Sequence, residues 1–137
     1  MIGIVVVAHG GLAEELLAAT QHVVGDLPAA RAVAVQPSDD LAERQRAVNA
    51  AVAAVDGGDG VAVVTDMFGG SPSNLAMGAM ADGRAEVVYG ANLPLLVKLA
   101  KCRRKPLQEA VDCALGAGRK YIDSAGSILA ARSAANA

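Results

Sequence analysis

The stretch Ile2-Gly3-Ile4-Val5-Val6-Val7-Ala8-His9-Gly10-Gly11 decides how the rest of this chain is read. Its apolar part is short and rich in β-branched residues, the pattern of a strand buried on both faces. It ends in an imidazole. Two glycines then turn the chain into a segment that carries Leu12, Leu16, Val23 and Val24 at helical spacing. A strand running so directly into a helix is the opening of a βαβ unit, because parallel strands need a long crossover between them.

Reading outward, the same alternation recurs. Gly25-Asp26-Leu27-Pro28 breaks the first helix, and residues 31–36 read as a second strand. Pro37-Ser38-Asp39-Asp40 turns the chain, with Asp40 as N-cap of a helix from Leu41 to Val55 that carries Val48, Val52 and Val55 on one face. The loop Asp56-Gly57-Gly58-Asp59-Gly60 leads into a third strand, 61–65, which ends in Asp66. Ser71-Pro72 signals a helix start, Ser at the N-cap and Pro at the first helical position, with the helix running to about Met80 and stopped by Asp82-Gly83. Glu86-Val87-Val88-Tyr89 is a fourth strand; Asn92-Leu93-Pro94 opens a helix through Lys101, and Pro106 opens another that frays near Gly116 and Gly118. The tail from Arg119 is rich in Ala and Ser, with Tyr121-Ile122 as a short strand and loose final residues. The expected class is α/β: one open, mainly parallel sheet with right-handed crossovers and helices on both faces.

Composition narrows the function classes. With 137 residues the chain is long enough for one domain with a real core, and no repeat or linker divides it. Aromatic residues are only 2%, with no Trp and one Phe, so the core has to be built from Ala, Val and Leu. A net charge of -2 gives no basic footprint for nucleic acid; the one dense cationic cluster, Lys101 to Lys105, lacks interleaved aromatics. Two cysteines, Cys102 and Cys113, are too few for a disulfide framework or a zinc site, so no metal is expected. The N-terminal apolar run lacks a basic lead and is too short for a signal peptide, and no stretch approaches the roughly 20 apolar residues of a membrane span. The expected location is cytoplasmic.

In open α/β sheets, sites form beyond the carboxyl ends of the strands. His9, Asp66 and the segment Gly90-Ala91-Asn92 each follow a strand there. If the first and third strands are neighbours, His9 and Asp66 lie side by side. A carboxylate accepting Nδ1–H fixes the imidazole tautomer, leaves Nε2 as nucleophile and stabilises the positive charge that builds as it attacks. The glycine turns at 10–11 and 69–70 allow close backbone approach, and the helix N-termini behind them favour an anion such as a phosphoryl group. Ser71 offers a hydroxyl. Each residue also has a plainer reading: His9 as a packing residue, Asp66 as cap of the 67–70 turn, Ser71 and Asn92 as N-caps, Gly69-Gly70 as an ordinary turn, and His22 as a surface residue of the first helix.

Three blocks resemble one family. They are Val6-Val7-Ala8-His9-Gly10, Thr65-Asp66-Met67-Phe68-Gly69-Gly70-Ser71-Pro72-Ser73-Asn74 and Tyr89-Gly90-Ala91-Asn92-Leu93-Pro94-Leu95-Leu96. Together they are similar to the mannose-type enzyme IIA of the bacterial phosphoenolpyruvate-dependent sugar phosphotransferase system, over about residues 1–120. The resemblance implies a strand order of 2-1-3-4, a domain at 1–122 with an Ala/Ser-rich tail at 123–137, and a homodimer able to exchange a C-terminal antiparallel edge strand. It implies a phosphotransferase without a cofactor. His9 takes phosphate from the histidine-containing phosphocarrier protein and hands it to a IIB component that feeds a membrane permease. Asp66 orients His9; Gly10, Gly69, Gly70 and Ser71 hold the phosphate; Asn92 stands at the site edge. Met67 occupies a position where the family often has Thr. The same chemistry also serves a second reading, a stand-alone regulatory phosphorylation sensor not coupled to transport. A metal-dependent hydrolase using His9 and Asp66 would need further ligands at metal spacing, which the sequence lacks.

Overall fold

A computed structural model describes residues 1–81 and 83–136. Four strands, β1 (Gly3–His9), β2 (Ala30–Val35), β3 (Val61–Thr65) and β4 (Ala85–Val88), form one sheet in the order β2-β1-β3-β4. All three pairings are parallel. The helices are α1 (Leu12–Val24), α2 (Leu41–Val55), α3 (Ser71–Gly78), α4 (Leu93–Lys101), α5 (Leu107–Lys120) and α6 (Ala125–Ala135). The α/β class and the 2-1-3-4 order agree with the expectation, and β1 and β3 are direct neighbours, with Val7 opposite Thr65.

The pleat sorts β1 between two cores. Ile4, Val6 and Ala8 join Ala62, Val64 and Val88 under α1, α4 and α5, where Leu17, Leu95, Leu96 and Leu99 are buried. Val5 and Val7 join Val33, Val35, Val61 and Val63 under α2 and α3, against Val48, Val52, Val55 and Leu75. Neither cluster contains an aromatic ring among its described members. Burying each such aliphatic side chain is worth about 1.5–3 kcal/mol. Small side chains let layers approach closely: a Cβ on Gly3 would lie 2.4 Å from the Val55 carbonyl oxygen, so α2 seats on β1 only because position 3 has no side chain.

Three details differ from the sequence expectation. α5 does not fray at Gly116 and Gly118 but runs to Lys120. A Cβ on Gly118 would meet the Leu95 side chain at 3.1–3.2 Å, so this glycine serves helix packing and not helix ending. The proposed C-terminal edge strand at Tyr121-Ile122 is absent: Tyr121 caps α5, and the tail forms α6, N-capped by Ser124 accepting from the Ser127 N–H at 3.2 Å. Alanine is the strongest helix former, and isolated Tyr-Ile cannot override an Ala-rich stretch without a paired strand. α3 ends at Gly78, two residues short of Met80; of its expected stop, Asp82 lies outside the described residues, and Gly83 takes a positive φ of 77°.

Candidate functional site

His9 is the last residue of β1, and its register partner on β2 is Val35. The next position along β3 after Thr65 is Asp66, so the sheet itself delivers both side chains to the carboxyl edge. The His9 Nδ1 lies 2.7 Å from Asp66 Oδ2. The His9 backbone N–H donates to the same oxygen at 3.0 Å, and the Met67 N–H donates to Oδ1 at 3.0 Å. Asp66 is thereby both readings at once: it caps its own turn and grips the histidine.

Electrostatics follow from that grip. Burial alone would raise the Asp66 pKa, but the His9 backbone N–H, the His9 ring and the Met67 N–H together outweigh it and hold the carboxyl below its ordinary value. An ionised carboxylate can only accept, so the proton of the imidazole sits on Nδ1 and the lone pair on Nε2. The two side chains are unequally exposed, His9 at 52% and Asp66 at 12%. The carboxylate is shielded and the imidazole is open to solvent. With its imidazole half exposed at the end of β1, His9 presents its free nitrogen at the sheet edge.

The loop between Asp66 and α3 forms the other wall. Gly69 and Gly70 both have positive φ, 80° and 141°. A Cβ on Gly70 would sit 3.6 Å from both Nε2 and Cε1 of His9, in contact with the nitrogen that Asp66 leaves free. Gly70, not Ser71, is the N-cap of α3; Ser71 is its first residue, exposed, with Pro72 behind it. α3 therefore starts beside the imidazole, and its first-turn N–H groups put the positive end of the helix there, which favours negative charge.

Other expected site residues are placed differently. Gly10 turns the chain with φ 58°, but its N–H donates to the Val35 carbonyl at 3.0 Å, so that amide holds β2 and is not available to a phosphate. Asn92 caps α4 by accepting from the Leu95 N–H at 2.9 Å, and its Nδ2 donates to the Gly118 carbonyl at 3.1 Å. One end of its amide caps α4 and the other ties α4 to α5, while the neighbouring Ala91 N–H bonds the Thr65 carbonyl at 2.9 Å. His22 is exposed on α1. Cys102 and Cys113 are free thiols. Among the described residues, no group of three or more His, Cys, Asp or Glu could hold a metal. No described helix is long and apolar enough to cross a membrane.

One feature escaped the sequence reading. Phe68, the only Phe, is 72% exposed and stands edge-on to Tyr89, ring centroids 5.1 Å apart. Met67 beside it is 55% exposed. In a chain so poor in rings, a lone Phe next to a strand-end acid was the available signal.

The family described as the fructose IIA component of the phosphotransferase system, EIIA-man, matches residues 3–114. The chain is 31% identical over 124 residues, 88% of its length, to the mannose-specific EIIAB component of the phosphotransferase system of Escherichia coli strain K12, and spans 38% of that protein. Among solved structures it is similar to the mannose/sorbose-specific IIA subunit of Enterococcus faecalis, with a TM-score of 0.81 and 29% identity over 90% of this chain and 93% of that one. It also resembles the IIA protein associated with the fucose utilization operon of Streptococcus pneumoniae, with a TM-score of 0.79 and 28% identity over 93% of this chain and 95% of that one.

Proposed function

The chain belongs to the mannose-type enzyme IIA family of sugar phosphotransferase systems, and from that premise we propose that His9 Nε2 carries a phosphoryl group between two partner proteins. The donor is a phosphohistidine on the histidine-containing phosphocarrier protein; the acceptor is a IIB component serving carbohydrate uptake. The Nε2 lone pair attacks phosphorus, the donor N–P bond breaks, and its electron pair returns to the donor imidazole. His9 becomes a phosphorylated imidazolium whose Nδ1–H remains shared with Asp66. Transfer between two imidazoles is nearly isoenergetic, so the site has to align the groups and stabilise the oxygens in flight, not drive the reaction. Gly69, Gly70 and Ser71, at the start of α3, supply backbone N–H groups and a hydroxyl for those oxygens.

The observation that carries the reading is the 2.7 Å contact from His9 Nδ1 to Asp66 Oδ2, with Asp66 held ionised and the imidazole half-exposed. An edge site of this kind suits a group that two proteins must reach in turn. The relay domain in this reading is 1–122, with 123–137 as an appended tail, and the protein works in the cytoplasm as a homodimer. In support of the dimer, α6 buries none of its side chains against its own chain and leaves Ile128 and Leu129 exposed.

The test is phosphorylation in the presence of phosphoenolpyruvate, enzyme I and the phosphocarrier. The protein should gain one phosphoryl group, labile in acid and stable in base, and His9→Ala should gain none. Full labelling of His9→Ala would overturn the assignment.

A further inference from the structure

The cationic run Lys101–Lys105 plays no part in the chemistry at His9. Arg103, within it, is only 5% exposed. Its Nε donates to the Ile2 carbonyl at 3.0 Å, and its two terminal nitrogens donate to the Pro28 and Ala29 carbonyls at 2.5 and 2.9 Å. All three partners are neutral, and no carboxylate lies within ion-pair distance of Arg103 among the described residues. A guanidinium stays charged when buried, so its charge here is met by carbonyl dipoles and by no counter-ion among the described residues. Its pKa is pushed down by that burial.

Arg103 lines a cleft of about 450 Å³ at the amino edge of the sheet, opposite His9. Lys101 and Arg104 line it too, and neither is paired with a carboxylate among the described residues. Asp26 is the single acid in the wall, against three cationic side chains. Leu27 and Pro28 give the cleft an apolar side. The floor is fixed, because the Ile2 N–H also bonds back to the Arg103 carbonyl at 2.9 Å. A concave site with one rigid buried cation and two flexible ones at the mouth matches a small multivalent anion better than a flat surface, since clustered oxyanions take charge-assisted bonds from several donors at once.

We propose that this cleft binds a small soluble metabolite bearing clustered oxyanions, phosphate or carboxylate, at a site separate from His9. Inorganic pyrophosphate and citrate are the probes, titrated calorimetrically into the full chain at constant ionic strength, with glycerol as the neutral control. At least one should bind saturably, one per chain. Lys101→Ser combined with Arg104→Ser, both at the mouth and outside the buried bonds, should weaken that binding about tenfold or more, while His9→Ala leaves it unchanged. The proposal fails if neither anion binds saturably, if the double variant binds as well as the parent, or if His9→Ala abolishes binding. Association with phosphatidylglycerol vesicles that neither soluble anion competes away would also overturn it, in favour of a membrane-surface role.

Discussion

The two edges of the sheet handle polar groups in opposite ways. At the amino edge, two arginines spend bonds on the fold. Arg103 ties the start of β1 to the segment leading into β2, and Arg84, ahead of β4, grips Asp56 beyond α2 through Nε at 2.5 Å and a second nitrogen at 3.1 Å. At the carboxyl edge Asp39, Asp40 and Asn92 likewise hold backbone groups, but Asp66 is spent on holding the histidine. The Nε2 of His9 is left facing a glycine. The proposed relay pair and the structural bonds of Arg103 and Arg84 thus lie at opposite ends of one sheet, and substitutions at these two places should separate stability from chemistry.

The largest effect should come from His9→Ala, which removes the proposed phosphoryl acceptor: labelling should vanish while the far-ultraviolet circular dichroism spectrum stays that of the parent. Asp66→Asn keeps the shape but loses the ionised acceptor that fixes the tautomer and stabilises the imidazolium. Transfer should slow by about 100-fold or more, read by rapid-quench labelling. A rate within a factor of two of the parent would dissolve the distinction between the edges. Arg103→Met should show the reverse pattern. Three carbonyls lose their donor, so stability should fall by about 2–4 kcal/mol in urea unfolding, with the labelling rate of the folded fraction unaltered. Gly70→Ala sharpens the comparison on the reactive side. The φ of 141° disfavours a side chain, at a cost of about 1–3 kcal/mol, and the new methyl contacts Nε2, so transfer should slow by about tenfold.

The smallest effect concerns acid. Asp56 is lowered from 3.8 to about 2, first by the Arg84 bond and then by the Gly58 N–H, which together exceed the opposing effect of burial. A depressed carboxylate adds stability that is complete above the unfolded value near 4 and is lost as pH falls toward 2. Asp56→Asn should therefore flatten the pH dependence of stability between about 4 and 2, with labelling at neutral pH unchanged. An acid limb as steep as the parent's would show that the Arg84 pair contributes nothing there.

Much of this was legible in sequence, for physical reasons that can be named. Valine-rich runs leading out of a glycine marked β1 and β3, and strand-end residues in such folds are where chemistry sits. His9 and Asp66 therefore stood out. Their adjacency did not follow from periodicity, which says nothing of strand order, and rested on the family resemblance. Gly10 looked like a phosphate ligand because a glycine turn reads the same whether its N–H is free or, as here, bonded to the neighbouring strand. Gly118 looked like a helix end because a glycine needed for close packing and one needed for a turn are the same letter. Arg103 was hidden inside a cationic run that reads as solvated surface, and its burial depends on the N-terminal segment and the Pro28 turn, which are distant in sequence.

The most direct test is the state of the His9 ring, followed by long-range nitrogen–proton correlations in isotope-labelled protein before and after phosphorylation. The free protein should carry its ring proton on Nδ1, and the phosphorylated protein should carry phosphorus on Nε2 with the Nδ1 proton retained. Phosphorus on Nδ1, or a free ring protonated on Nε2 alone, would contradict the grip of Asp66 on which the account rests.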